Sequence, residues 1–160
     1  MNTNSGFKLV GRVRLQINGV DGKVRHDTGF MKNKITNASL AVISGLMGAT
    51  GAQTAFTYLA VGSGSGAESA SSTALGTEIS ANTMGRAAAT VSRITTSQTN
   101  DTLQLTYTWT ASGGPNDVEE IGIFNASSNG VMLGRKLTGT KTINNGESLV
   151  ATYQVQVTGD

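Results

Sequence analysis

The chain has 160 residues, a single proline, no cysteine and a formal net charge of +2. That length suits one domain able to bury about 70% of its unfolded surface, so neither disulfide nor metal is needed to hold a core. The absence of cysteine fits a reducing compartment of synthesis. No apolar leader follows Met1, and the longest apolar stretch, residues 40–47, is broken by Ser44 and Gly45 and falls far short of the roughly 20 residues of a membrane span, so neither secretion nor membrane insertion is expected.

Charged residues make up only 14% of the chain, which suits a subunit that buries much of its surface. Ser, Thr, Asn and Gly supply the polarity instead, a composition of strands and turns. Residues 1–34 hold seven basic side chains against Asp21 and Asp27, net +5, and residues 35–160 hold five basic and eight acidic, net −3. An acidic partner would therefore meet the N-terminal segment.

Residues 1–6 are polar and expected to be disordered until something holds them. Residues 7–17 alternate strictly, with Phe7, Leu9, Val13, Leu15 and Ile17 on one face and Lys8, Arg12, Arg14 and Gln16 on the other. Such a strand lies on its own sheet or on a neighbour's. The run Asn18-Gly19-Val20-Asp21-Gly22 carries two turn signals, so residues 23–30 are expected to return as the second arm of a hairpin. Residues 33–48 are the one good helix candidate. Thr36 or Asn37 can cap it, Leu40, Ile43 and Met47 recur at helical spacing with Val42 and Leu46 widening the stripe, and Gly48 can end it in the left-handed conformation. A single amphipathic helix of this kind is expected as a lid on one end of a sandwich.

Residues 56–61 read as a short strand. Residues 62–72 read as a flexible loop by composition, and residues 73–79 as one helical turn with Leu75 and Ile79 four apart. A small-residue strand at 86–94 leads by a turn near Asn100 to a strong strand at 102–110, where Leu103, Leu105, Tyr107 and Trp109 alternate with Thr and Gln. Residues 111–116, with the proline and two glycines, break the pattern. Two apolar runs, 121–124 and 131–133, flank Asn129-Gly130, a step that readily takes positive φ, and form a hairpin. A turn at Asn144-Asn145-Gly146 precedes the last long strand, 148–157. This makes eight strand candidates and one helix. The expected fold is all-β: an antiparallel β-sandwich, jelly-roll-like, of residues 31–160, with one short α-helix and an extended N-terminal arm or hairpin of residues 1–30, in one compact unit.

Few motifs point to chemistry. Gly62, Gly64 and Gly66 are spaced G-x-G-x-G with no Lys-Ser/Thr and no long helix after them, which speaks for a surface loop and against a phosphate cradle. His26 is the one histidine, and without cysteine it builds no usual zinc site. Glu119 and Glu120 are adjacent, so in a strand they face apart and do not converge as a glycosidase pair; one turned inward would form an ion pair with Arg135 across the hairpin. Lys8, Arg12 and Arg14 share one strand face. Nucleic-acid binders add exposed aromatics or a recognition helix, and an acidic protein surface serves at least as well; a plain solvated face weighs as much as both together. No catalytic residue, cofactor, metal or small-molecule substrate is expected.

Three segments in order, N-K-I-T-N-A-S-L-A-V-I-S-G-L-M (33–47), Y-L-A-V-G-S-G through T-A-L-G-T-E (58–78), and E-I-G-I-F-N-A with V-M-L-G-R and G-E-S-L-V-A-T-Y-Q-V (120–155), resemble a recurrent pattern in structural proteins of tailed bacteriophages. The resemblance implies a virion β-domain with a binding role, made in the host cytoplasm. It covers capsid decoration (cement) proteins and tail, tail-fibre or baseplate domains. The chain lacks a fibre shaft, collagen-like repeats and heptads, which favours decoration of the capsid surface. On that expectation the partners are the major capsid protein and, in a homotrimer, other copies of the chain, with neither nucleic acid nor membrane involved. The arm contact is then assigned to Phe7, Lys8, Leu9, Arg12 and Arg14. The alternative, a tail or fibre component, would recognise host glycans or another tail protein through loops 62–72 and 111–116.

Overall fold

Period-two alternation becomes two antiparallel sheets packed face to face in the computed structural model, which describes residues 6–159. The expectation for residues 1–6 thus lies, through residue 5, outside the described residues. The strands are β1 (Phe7–Asn18), β2 (Val24–Asp27), β3 (Met31–Lys32), β4 (Lys34–Ile35), β5 (Tyr58–Gly62), β6 (Ala87–Ala88), β7 (Thr90–Ile94), β8 (Thr102–Thr110), β9 (Asn116–Phe124), β10 (Met132–Ile143) and β11 (Ser148–Gly159), with one helix, α1 (Asn37–Gly48). The first sheet runs β2-β1-β11-β8-β7, with β3 also on β1; the second runs β4-β10-β9-β5-β6. The all-β sandwich with one short helix is the expected architecture. Its additions to the eight expected strands are β3 and β4 and the division of 86–94 into β6 and β7.

Residues 7–18 belong to the first sheet, where β1 pairs with β11 along its whole length, from Phe7 opposite Gly159 to Asn18 opposite Ser148. Its hairpin partner β2 covers only Gln16 to Asn18, and β3 covers Arg12 and Val13. Val13, Leu15 and Ile17 join Leu105, Trp109, Leu149, Ala151 and Tyr153 on the inner face. Opposite them lie Leu59, Val61, Val118, Ile121, Ile123, Leu133 and Ile143 of the second sheet. Complete burial of one such aliphatic side chain stabilises the fold by roughly 1.5–3 kcal/mol.

The hairpin of β9 and β10 turns through Asn129 at φ 52° and Gly130 at φ 72°. Both are left-handed, a region that Asn and Gly enter more readily than other residues. The helix departs from expectation in three ways. It starts at Asn37, because residues 34–35 are drawn into β4 beside Gly134 and Arg135. Thr36 holds the cap position, but its hydroxyl donates to Met132 O and makes no capping bond. The left-handed residue at the C-terminal end is Ala49 (φ 50°) rather than Gly48, and the N–H of Thr50 returns to Gly45 O at 2.9 Å.

The fourth departure concerns the face the helix shows the core. Ser39 and Val42 are its buried residues, and Ser39 Oγ donates to Thr36 O at 2.8 Å. Leu40 and Met47 are 54% and 72% exposed. The helix therefore lids the sandwich with a small-residue face and turns most of its apolar stripe outward.

Candidate functional site

Strand registers give the sandwich two unlike ends. At one, Phe7 lies opposite Gly159, Ile94 opposite Thr102 and Phe124 opposite both Tyr58 and Met132, so the start of β1, the end of β11, the β9–β10 turn and α1 gather there. At the other, Asn18, Thr110 and Ser148 align and Asn116 faces Ile143, so residues 19–23, 111–115 and 144–147 form one cluster of connections.

Backbone and amide bonds tie this cluster together. Gly146 N–H donates to Ala111 O at 2.8 Å, Gly113 N–H to Asn145 Oδ1 at 2.9 Å, and Ser112 N–H to Asn82 O at 3.1 Å. Beside them Asn82 and Thr83 are both left-handed, at φ 54° and 63°. For a β-branched residue such as Thr83 that conformation is strained, at a cost of about 1–3 kcal/mol that the surroundings must offset, and such strain gathers at binding sites. Beneath the cluster Glu147 Oε2 accepts from Arg25 Nη2 at 2.7 Å and from Asn144 N–H at 2.8 Å. Burial opposes ionisation of this carboxyl, but the Asn144 and Arg25 bonds outweigh it and hold it below its ordinary range.

Loop 62–72 is not at that end, and it is anchored rather than free. It crosses the outer face of the second sheet, where the buried Glu120 carboxylate gathers it: Gly64 N–H and Thr77 N–H donate to Oε1 at 2.9 Å each, and Gly76 N–H donates to Oε2 at 3.0 Å. Arg135 Nε completes the set at 2.6 Å from Oε2, the cross-hairpin pair that the sequence offers. Further along, Glu68 Oε1 meets Lys136 Nζ at 2.7 Å and Leu137 N–H at 2.8 Å. Leu75 closes on Phe124 and Met132 below the strap. Residues 73–79, expected as a helical turn, are extended enough for Glu78 to bridge Gly62. Arg86 fixes the far end, with Nη2 at 2.6 Å from Glu78 Oε2, Nη1 at 2.7 Å from Asn129 O, and its guanidinium 3.7 Å above the Phe124 ring.

The glycines serve this close approach. A Cβ on Gly64 would stand 2.7 Å from Gly76 Cα and 2.8 Å from Thr77 N, both backbone atoms. Gly64→Ala is expected to cost about 2–3 kcal/mol. Urea titration measures it, and faster proteolysis within residues 65–71 is the accompanying sign.

The residues assigned to an arm contact divide into two groups. Phe7, Lys8 and Leu9 line an open cleft of about 670 Å³ against α1. Arg12 and Arg14 are engaged within the chain. Arg12 Nε donates to Gln154 Oε1 at 2.6 Å and its guanidinium lies 4.9 Å over the Phe30 ring, while Arg14 pairs with Asp27 through Nε at 2.9 Å and through Nη2. The Arg14 bond is the main cause that keeps Asp27 well below the usual carboxylate range. His26 is an exposed strand residue on β2.

Among the described residues the sandwich carries an anchored strap, a strained connection cluster and an apolar cleft against α1. The chain belongs to the family described as Podophage GP4 fiber I protein gp80, whose model matches residues 30–158. It is a structural protein of a tailed-phage virion. No curated protein and no solved structure matches it. The expected class of protein thus stands, and within it the fibre alternative has more support than capsid decoration.

Proposed function

We propose that this chain is a component of a podophage tail fibre, that it works by binding and not by catalysis, and that its connection cluster faces the surface to be recognised. The family match across residues 30–158 carries this reading. The two-ended geometry supports it: residues 111–115 and 144–147 stand at one end, with the strained Asn82–Thr83 step beside them, and the start of β1 and the end of β11 lie at the other. A rigid sandwich presenting tied loops at one end is a common arrangement for recognition.

Gold-labelled antibody against the chain, viewed on intact particles by electron microscopy, tests it. Label confined to the tail is the expected result. Label spread over the head would overturn the fibre assignment and favour decoration of the shell, with the major capsid protein as partner and a homotrimer as the unit.

A further inference from the structure

We infer that a slot between the two sheets, beneath α1, is a binding site for a long-chain aliphatic carboxylate, whose chain lies between the sheets and whose headgroup meets Arg93 and Asn100. The slot has a volume of about 330 Å³, at the lower end of the range for small-molecule pockets. One wall is the inner face of the first sheet. Leu9 stands opposite Val157, Leu103 stands opposite both Val155 and Arg93, and Val91 stands opposite the fully buried Leu105, so these side chains share that face. The other wall is Ile43 and Leu46 of α1, Leu133 of β10, and Phe56 just before β5. Phe56, Leu133 and Val155 are buried, but Val91 and Val157 are 44% and 50% exposed. Valines at inward positions of their strands are half exposed only where the facing sheet has drawn away. The sheets therefore part at this end and leave aliphatic surface open between them.

The polar groups select the headgroup. Thr57, Arg93, Asn100 and Asp101 are the polar residues of the lining. Asp101 is engaged by its own loop: its carboxylate accepts from the amides of Thr96, Ser97 and Gln98 at 2.8, 2.9 and 3.0 Å and from Gln156 Nε2 at 2.8 Å. Arg93 and Asn100 are not engaged, for among the described residues neither side chain makes a hydrogen bond or an ion pair. A free guanidinium on an otherwise aliphatic face favours an anion that accepts two parallel N–H bonds, as a carboxylate does. Asn100 Nδ2 supplies a further, neutral donor. Behind that headgroup the lining is Leu, Ile and Val with one aromatic ring, Phe56, which suits an alkyl chain.

The site lies at the opposite end from the recognition loops, so it does not depend on which surface those loops meet. The test titrates dodecanoate, below its micelle concentration, into the full chain by isothermal calorimetry. Saturation at one site is expected. Decanoate should bind about tenfold more weakly or worse, since each methylene taken from water changes affinity about fourfold. Dodecanol, which keeps the chain and lacks the charge, should lose about tenfold or more, and Arg93→Gln should lose as much with dodecanoate. Val91→Trp, at an exposed position, should abolish binding by filling the slot, while Met47→Ser, on the neighbouring cleft, should leave it unchanged. An unchanged circular dichroism spectrum confirms the fold of each variant. Absence of saturation, equal binding of acid and alcohol, or loss of binding in Met47→Ser would each overturn the inference. So would undiminished binding by Arg93→Gln, which would leave Arg93 as an inward charge that keeps the β7 edge from pairing with another chain. Particle labelling judges the fibre assignment separately.

Discussion

Glu120→Ala is expected to lower the stability of the domain by about 3–5 kcal/mol, the range for removing one partner of a buried ion pair. Both side chains are enclosed, at 0% and 5% exposure for Glu120 and Arg135. Truncation leaves the Arg135 guanidinium with Ala67 O at 3.2 Å as its remaining bond, while Nη2 is already without a partner among the described residues. It also orphans the amides of Gly64, Gly76 and Thr77, and each amide left dry adds a desolvation penalty of about 1–3 kcal/mol. The loss is a fifth or more of the roughly 5–15 kcal/mol that a domain has. Urea denaturation measures it as a lower midpoint at unchanged slope. The double variant Glu120→Leu, Arg135→Met should lose less than Glu120→Ala alone, because an apolar pair leaves no buried charge. A single-variant loss within about 1 kcal/mol would mean that water reaches the site and replaces the carboxylate.

Trp109→Ala is expected to cost a similar amount, about 3–5 kcal/mol, by a different physical route. Trp109 is 1% exposed, is among the largest fully buried side chains, and meets Tyr107 edge to face at 4.9 Å between ring centroids. Its removal opens a cavity in a core that both sheets share. Its Nε1–H also donates to Gly85 O at 2.7 Å, which ties the segment before β6 to the core. Trp109→Phe separates the two contributions: it keeps most of the volume, so about 1–3 kcal/mol should remain as the cost of the unmet Gly85 carbonyl and a smaller void. Thermal unfolding of both variants is the check, and equal losses would refute the partition.

The long strands were legible because each is one-sided. In β1, β8 and β11 an apolar residue at every second position allows one orientation, and a slip of one residue would turn Leu15 or Leu149 to water. The Glu120–Arg135 pair was legible for a related reason: the Asn129-Gly130 turn sets the hairpin, and the hairpin sets which side chains meet. The direction of α1 was not. Periodicity reveals a stripe through Leu40, Ile43 and Met47, but whether it faces inward depends on what the sandwich end can accept. Here a small residue, Ser39, is buried and bonded to Thr36 O. The strap was hidden in another way. Gly, Ser and Ala have the composition of a free linker whether or not a carboxylate gathers their amides, since backbone N–H groups leave no mark in a sequence. Strands of two residues, such as β3 and β4, are too short to alternate at all.

The pairing of β1 with β11 joins Phe7 to Gly159 and Ile17 to Leu149, and it sets the timing of folding. Contacts between the two ends of a chain are the slowest to form, because loop closure must come before any pairing can repay it. At about 5–20 residues per second of synthesis, the first strand waits roughly 7–28 s for the last. During that interval Val13, Leu15 and Ile17 have no partner on the β11 side. The nascent chain therefore exposes this apolar face of β1 until β11 emerges, an interval in which such surface is open to aggregation.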